Sequence, residues 1–103
     1  MFSIIIPSFN NLEYLKLCLK SLKKNSKYKH EIIIHVNEGS DGTLEYVSQN
    51  KLIHTRTISN VGLCTAVNLA SAKATTEYIV FSHDDMYYCP GWDEVLLNEI
   101  RKL

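Results

Sequence analysis

Short apolar runs alternate with amphipathic stretches along the whole of this chain. Phe2-Ser3-Ile4-Ile5-Ile6 is rich in β-branched residues and stops at Pro7, which cannot donate to a sheet ladder; a strand is predicted there. Leu12, Leu15, Leu19 and Leu22 recur at three and four residues with Cys18 on the same side, predicting a helix from Leu12 to about Lys24. Asn10 is placed to cap that helix and Glu13 to reach back. A second strand runs from Glu31 to Val36 and ends in the turn cluster NEGSDGT. Thr43 to Gln49 then reads as a short helix with Leu44 and Val47 inward. Leu52 to Ile58 alternates weakly and holds His54, Thr55 and Arg56, which suits an edge strand. In a third helix Leu63, Ala66, Val67 and Ala70 mark the packed face. Tyr78 to Phe81 is predicted as a buried strand, and Trp92 to Leu103 as a last helix with Val95, Leu96 and Ile100 inward.

Strands alternating with helices define an α/β protein, a mainly parallel sheet with helices on both faces. Right-handed crossovers favour the strand order 3-2-1-4. Ligands of such sheets bind beyond the carboxyl ends of the strands, where the order reverses. The segments PSFN, NEGS and HDD are therefore expected to meet on one edge.

Composition narrows the class. With 103 residues, 46% hydrophobic and 21% charged, the chain has the make-up of one soluble globular domain, residues 1–103. Its zero formal net charge excludes a protein built for non-specific nucleic-acid binding. The lysines of KKNSKYKH read as a solvated helix end, where cations complement the unpaired carbonyls. Three cysteines without C-x-x-C spacing argue against a disulfide framework and for a reducing, cytoplasmic setting, at a membrane's cytoplasmic face if the protein is longer. No apolar stretch is long enough to span a bilayer.

The acid doublet Asp84-Asp85, at the end of a strand, poses the chemical question. Adjacent carboxylates repel unless a cation or hydrogen-bond donors attend them. Either they cap the turn before the last helix, or they serve a metal or nucleotide. Hard oxygens suit Mg²⁺ or Mn²⁺, which take remaining ligands from water and phosphate. Glu38 could cap a turn or accept hydrogen bonds from a ribose or base. Phe9 could be packing or a stacking platform. His83 reads more readily as a structural hydrogen-bonding group than as a metal ligand, and the Cys89–His83 pair lacks the partners a zinc site needs. No G-x-G-x-x-G follows the first strand and no G-K-[ST] occurs, which removes dinucleotide-binding and P-loop readings.

Taken together, SIIIPSFNNLEYLKLCLKSL, EIIIHVNEGSDGT, NVGLCTAVNLASAKATTEYIVFSHDD and PGW resemble the N-terminal half of a family 2 glycosyltransferase, an inverting class with the Rossmann-like GT-A fold. The resemblance implies a nucleotide-diphosphate sugar donor, UDP-linked, and a divalent cation, Mn²⁺ or Mg²⁺. It implies that Pro7, Ser8 and Phe9 form the first nucleotide-binding loop and that Glu38 contacts uracil or ribose. Asn37 stands where the family often has Asp. Asn60, Gly62 and Asn68 match further donor-side positions, although Val67 stands where an Arg is frequent. His83-Asp84-Asp85 matches the D-x-D-like motif, with Asp85 as metal ligand and Asp84 on the ribose or the metal's water shell. The family's catalytic base and acceptor pocket fall after this region, so the catalytic residue is left unassigned and the chain is expected to be a fragment, a truncated gene or a minimal remnant. The acceptor could be a glycan, lipid or protein. The alternative is a nucleotide-binding or self-associating module without turnover, the open sheet edge allowing a homo-oligomer.

Overall fold

The structure, a computed structural model, describes residues 1–103. Its elements are β1 (Ser3–Phe9), α1 (Leu12–Asn25), β2 (Glu31–Asn37), α2 (Thr43–Gln49), β3 (Ile53–Thr57), α3 (Leu63–Ser71), β4 (Ile79–Phe81) and α4 (Trp92–Arg101). All strand pairs are parallel, in the order β3-β2-β1-β4. The α/β class and the strand order are those expected from the alternation of elements.

β1 carries the sheet. Ile4, Ile5 and Ile6 are fully buried, so neither face of this strand meets solvent. Ile4 and Ile6 join Leu15, Cys18 and Leu22 of α1 and Val47 of α2 in the larger core cluster. Ile5 and Ile33 meet Ala70 of α3 on the opposite face. Burying one such isoleucine is worth about 1.5–3 kcal/mol, which makes this run the main anchor of the fold. Pro7 does not end the strand. Residues Ser3 and Ile5 bond to the β4 side, so Pro7 directs its missing N–H there too, and that ladder has already stopped at Ile5↔Phe81. The β2 side continues through Phe9↔Asn37.

Four other local expectations are corrected. Asn10 does not cap α1. Its backbone is left-handed (φ 46°), and the first turn instead receives Asp41 from another loop, whose Oδ2 accepts the Leu12 N–H at 3.1 Å. Glu13 lies over Lys16 rather than reaching back. β4 is a three-residue edge strand, not a buried one. Only Val80 packs on the core, while Ile79 and Phe81 point to the face that α3 leaves uncovered there and are about half exposed. Leu63 and Val95 face outward. In α4 Trp92 packs on the core, Asp93 is fully buried, and Leu96 and Ile100 are half-buried as expected.

Asp93 explains how α4 is fastened. Its Oδ1 accepts the N–H groups of Lys27 (3.0 Å) and Glu94 (3.0 Å), and its Oδ2 that of Tyr28 (2.8 Å). The Phe2 N–H donates to His30 Nδ1 at 3.0 Å, so His30 carries its proton on Nε2 and donates to Asp93 Oδ2 at 2.8 Å. Burial pushes the Asp93 carboxyl up, but the Lys27 and Tyr28 amides and His30 outweigh it and hold the pKa at about 2. The drop from 3.8 corresponds to about 2 kcal/mol. A depressed folded pKa gives stability that is complete above the unfolded value and disappears as pH falls through the folded one. Wild-type stability should therefore fall by about 2 kcal/mol between roughly pH 4.5 and pH 2 through this group. Asp93→Ala should lose about 3 kcal/mol at neutral pH, because several donors lose a buried acceptor together. Urea unfolding of both proteins across that pH range checks this; equal midpoints at neutral pH would contradict it.

Candidate functional site

At the carboxyl ends of β1, β2 and β4 lies an open cavity of about 280 Å³. Pro7, Ser8, Phe9 and Asn11 line it from the β1 side, Asn37 from β2, Asn60, Gly62 and Leu63 from the approach to α3, and His83 and Asp84 from the end of β4. PSFN and HDD converge on one edge, as expected from topology, and NEGS contributes its first residue to the lining.

Asp84 is the fixed point. Its Oδ2 accepts from Ser8 Oγ at 2.8 Å and its Oδ1 from Asn11 Nδ2 at 3.1 Å. Two donors from the β1–α1 loop thus hold one carboxylate in place and tie the end of β4 to the end of β1. Asp85 is exposed, and no donor of the protein reaches its carboxylate. The two acids therefore differ in kind: one is gripped, one is free. No three His, Cys, Asp or Glu side chains gather closely enough to chelate an ion unaided. The doublet fits Mg²⁺ or Mn²⁺ only if phosphate and water complete the shell, the usual habit of those ions.

The β2 end is shaped by backbone conformation. Glu38 (φ 65°) and Gly39 (φ 78°) are consecutively left-handed, and a Cβ on Gly39 would stand 2.5 Å from Val36 Cγ1, so only glycine fits. This turn sends the Glu38 side chain toward Ser40 and Asn10, whose Oγ and Nδ2 donate to Oε1 at 2.9 and 3.3 Å. Glu38 is on the rim next to the cavity rather than in its lining. Asn10 Oδ1 is buried there without a partner. Asn37 spends its oxygen inside the protein: Oδ1 accepts the Val61 N–H at 3.1 Å and Thr57 Oγ at 3.2 Å, holding the loop before α3. Asn60 does likewise, its Oδ1 accepting the Gly62 N–H at 3.0 Å. A Cβ on Gly62 would meet nothing, and its requirement is the backbone angle alone (φ 83°).

Phe9 is 48% exposed and lines the cavity. His83 stands edge-on to Phe81 with centroids 5.0 Å apart, and its ring makes no hydrogen bond. Asn68 lies on the exposed side of α3, outside the lining, as Asp85 lies just beyond it. Asn11, Leu63 and His83 are lining residues not singled out for the site from sequence, except His83 as a neighbour of the acids. Asn11 was legible in principle: it is a polar residue in the loop that leaves the central strand.

Beneath the doublet sits Cys18, with Sγ 3.8 Å from the His83 carbonyl. Burial pushes its thiol up to about 11, Ser82 opposes this, and Asp84 and Asp85 add to the rise. Cys64 and Cys89 are exposed. Thiol titration of the native protein near pH 8 should modify Cys64 and Cys89 rapidly and Cys18 only after denaturation; rapid modification of all three would contradict the packing under the doublet.

The family model for glycosyl transferase family 2 matches residues 3–103. An uncharacterized glycosyltransferase of Rickettsia typhi is 35% identical over an alignment of 104 positions that covers 98% of this chain and 32% of that protein. Chondroitin synthase of Pasteurella multocida is 29% identical over 97% of this chain and 11% of its own length. Among solved structures, S. aureus TarS 1-349 in complex with UDP superimposes with a TM-score of 0.85 at 27% identity, over 98% of this chain and 32% of that one. A mannosyltransferase from Pyrobaculum calidifontis, in complex with GDP-Man and Mn²⁺, shares the fold with a TM-score of 0.75 at 21% identity, over 91% of this chain and 30% of that one. The chain thus spans about a third or less of the length of these relatives.

Proposed function

The chain belongs to glycosyl transferase family 2, and on that premise we propose that it forms the donor-binding part of an inverting enzyme that moves a sugar from a UDP-linked donor to an acceptor hydroxyl. The observation that carries the reading is the pairing of a gripped Asp84 with a free Asp85 at the carboxyl edge of the sheet. A diphosphate with its cation is a ligand that such a pair suits.

The roles follow from where each group stands. Phe9 supplies an exposed ring for the base, with Pro7 and Ser8 shaping the loop behind it. Glu38, on the neighbouring rim and held by Asn10 Nδ2 and Ser40 Oγ, accepts from a base N–H or ribose hydroxyl. Asn37, Asn60 and Gly62 set the loop that closes the cavity; their side-chain oxygens and backbone angle are committed to that task. Asn68 would contribute only from outside the cavity lining. Asp84 uses the lone pairs left by Ser8 and Asn11 for ribose or for metal-bound water, and Asp85 would hold Mn²⁺ or Mg²⁺. When bound, that ion neutralises charge developing on the leaving diphosphate. The late acids Glu94 and Glu99 are paired with Lys27 and Lys102, so we assign the acceptor-side base to sequence outside the matched stretch.

Calorimetric titration of UDP with and without Mn²⁺ tests this. Binding should require Mn²⁺ and weaken about tenfold or more in Asp85→Ala, the loss of one charged ligand being worth about 1.5–3 kcal/mol. Equal binding without metal would contradict the metal role. Absence of binding by a folded chain would contradict the donor site and favour a module that binds no nucleotide.

A further inference from the structure

A second and larger concavity, about 680 Å³, lies at the other end of the sheet. It runs between α1 and α2, over the amino-terminal parts of β1 and β2, where Ile4, Leu19, Leu22, Ile32 and Leu52 make an apolar floor. Four lysines rim it: Lys16, Lys20, Lys23 and Lys29. No acid lines it, in a chain whose 11 basic and 11 acidic residues otherwise balance. Lys16 is drawn inward, its Nζ 5.3 Å from the Tyr46 ring and 3.8 Å from Glu13. Lys20, Lys23 and Lys29 are exposed and pair with no acid of the protein. Lys16, Lys20 and Lys23 fall on successive turns of one side of α1, and Tyr28 and Tyr46 stand at the groove's margin.

An ordinary solvated helix end shows lysines over water, interleaved with acids. Here three unpaired lysines surround a groove in which Leu19, Ile32 and Leu52 are half-exposed over the buried Ile4 and Leu22, with tyrosines at its margin. That is the arrangement by which peripheral proteins hold an acidic bilayer: basic groups on lipid phosphates, amphipathic rings at head-group depth, apolar atoms below them. We propose that this groove is a docking surface for an anionic membrane. The cavity at the carboxyl edge lies at the opposite end of β1 and stays open to solvent when the groove is engaged.

Co-sedimentation of the whole chain with vesicles tests the proposal, comparing pure phosphatidylcholine with phosphatidylcholine containing phosphatidylglycerol. The chain should partition onto the anionic vesicles only, and less as salt rises. Each lysine near an acidic surface is worth roughly fivefold in partitioning. The triple variant Lys20→Gln, Lys23→Gln, Lys29→Gln should therefore bind about a hundredfold more weakly, with an unchanged circular dichroism melt. A second triple variant, Lys24→Gln, Lys73→Gln, Lys102→Gln, makes the same change in net charge away from the groove and should bind nearly as wild type. No partitioning onto anionic vesicles, equal partitioning onto both kinds, or equal losses in the two variants would each overturn the proposal.

Discussion

The carboxylate of Asp84 is the constraint on which the carboxyl edge of this molecule depends. Two neutral donors, Ser8 Oγ and Asn11 Nδ2, take one oxygen each. They fix the charge without neutralising it, so a cation or a hydroxyl-rich ligand still finds lone pairs there. The same two bonds span the point where strand order reverses, between β1 and β4, where the ladder itself has ended. The cavity is thus held open by side chains rather than by sheet hydrogen bonds. Asp85 follows, exposed and without a partner in the protein.

The opposite end of the sheet solves a similar problem by other means. Asp93 is also a carboxylate attended by backbone and side-chain donors, yet it is fully buried and satisfied on both oxygens. Its work is to join α4 to the α1–β2 connection. Asp41 does a lesser version of the same task, bridging Leu12 of α1 and Thr43 of α2. Three aspartates therefore secure three junctions between elements, and only Asp84 does so within the lining of the cavity.

Much of this was legible in the sequence, for physical reasons. Periodic apolar positions located all eight elements, because burial of one face is what made them form; Thr43–Gln49 came out to the residue. Handed crossovers then limited the strand order. What failed was whatever depended on a partner remote in sequence. Asn10 looks like a cap locally, but Asp41 supplies that acceptor across the β1–β2 edge. The Ile79-Val80-Phe81 run looks buried, but α3 covers β1 and β2 and stops short of β4. The lysines of KKNSKYKH are the solvated helix end they look like, Lys23 and Lys24 lying exposed in the last turn of α1, but that Lys23 and Lys29 also border a groove became visible only with the fold. In the site, residue types pointed to Asp84, Asp85, Phe9 and Glu38. Asn11, and the inward commitment of the Asn37 oxygen, became visible only once the loops were placed.

The most direct test of the account is an amide-resolved NMR titration of the chain with UDP and Mn²⁺. Paramagnetic broadening should centre on residues 82–85, with ligand-induced shifts in 7–11, 37–41 and 59–62 and little change around Lys20 and Lys23. Broadening centred elsewhere, or shifts spread evenly over the chain, would contradict a donor site built on the gripped and free acids of the carboxyl edge.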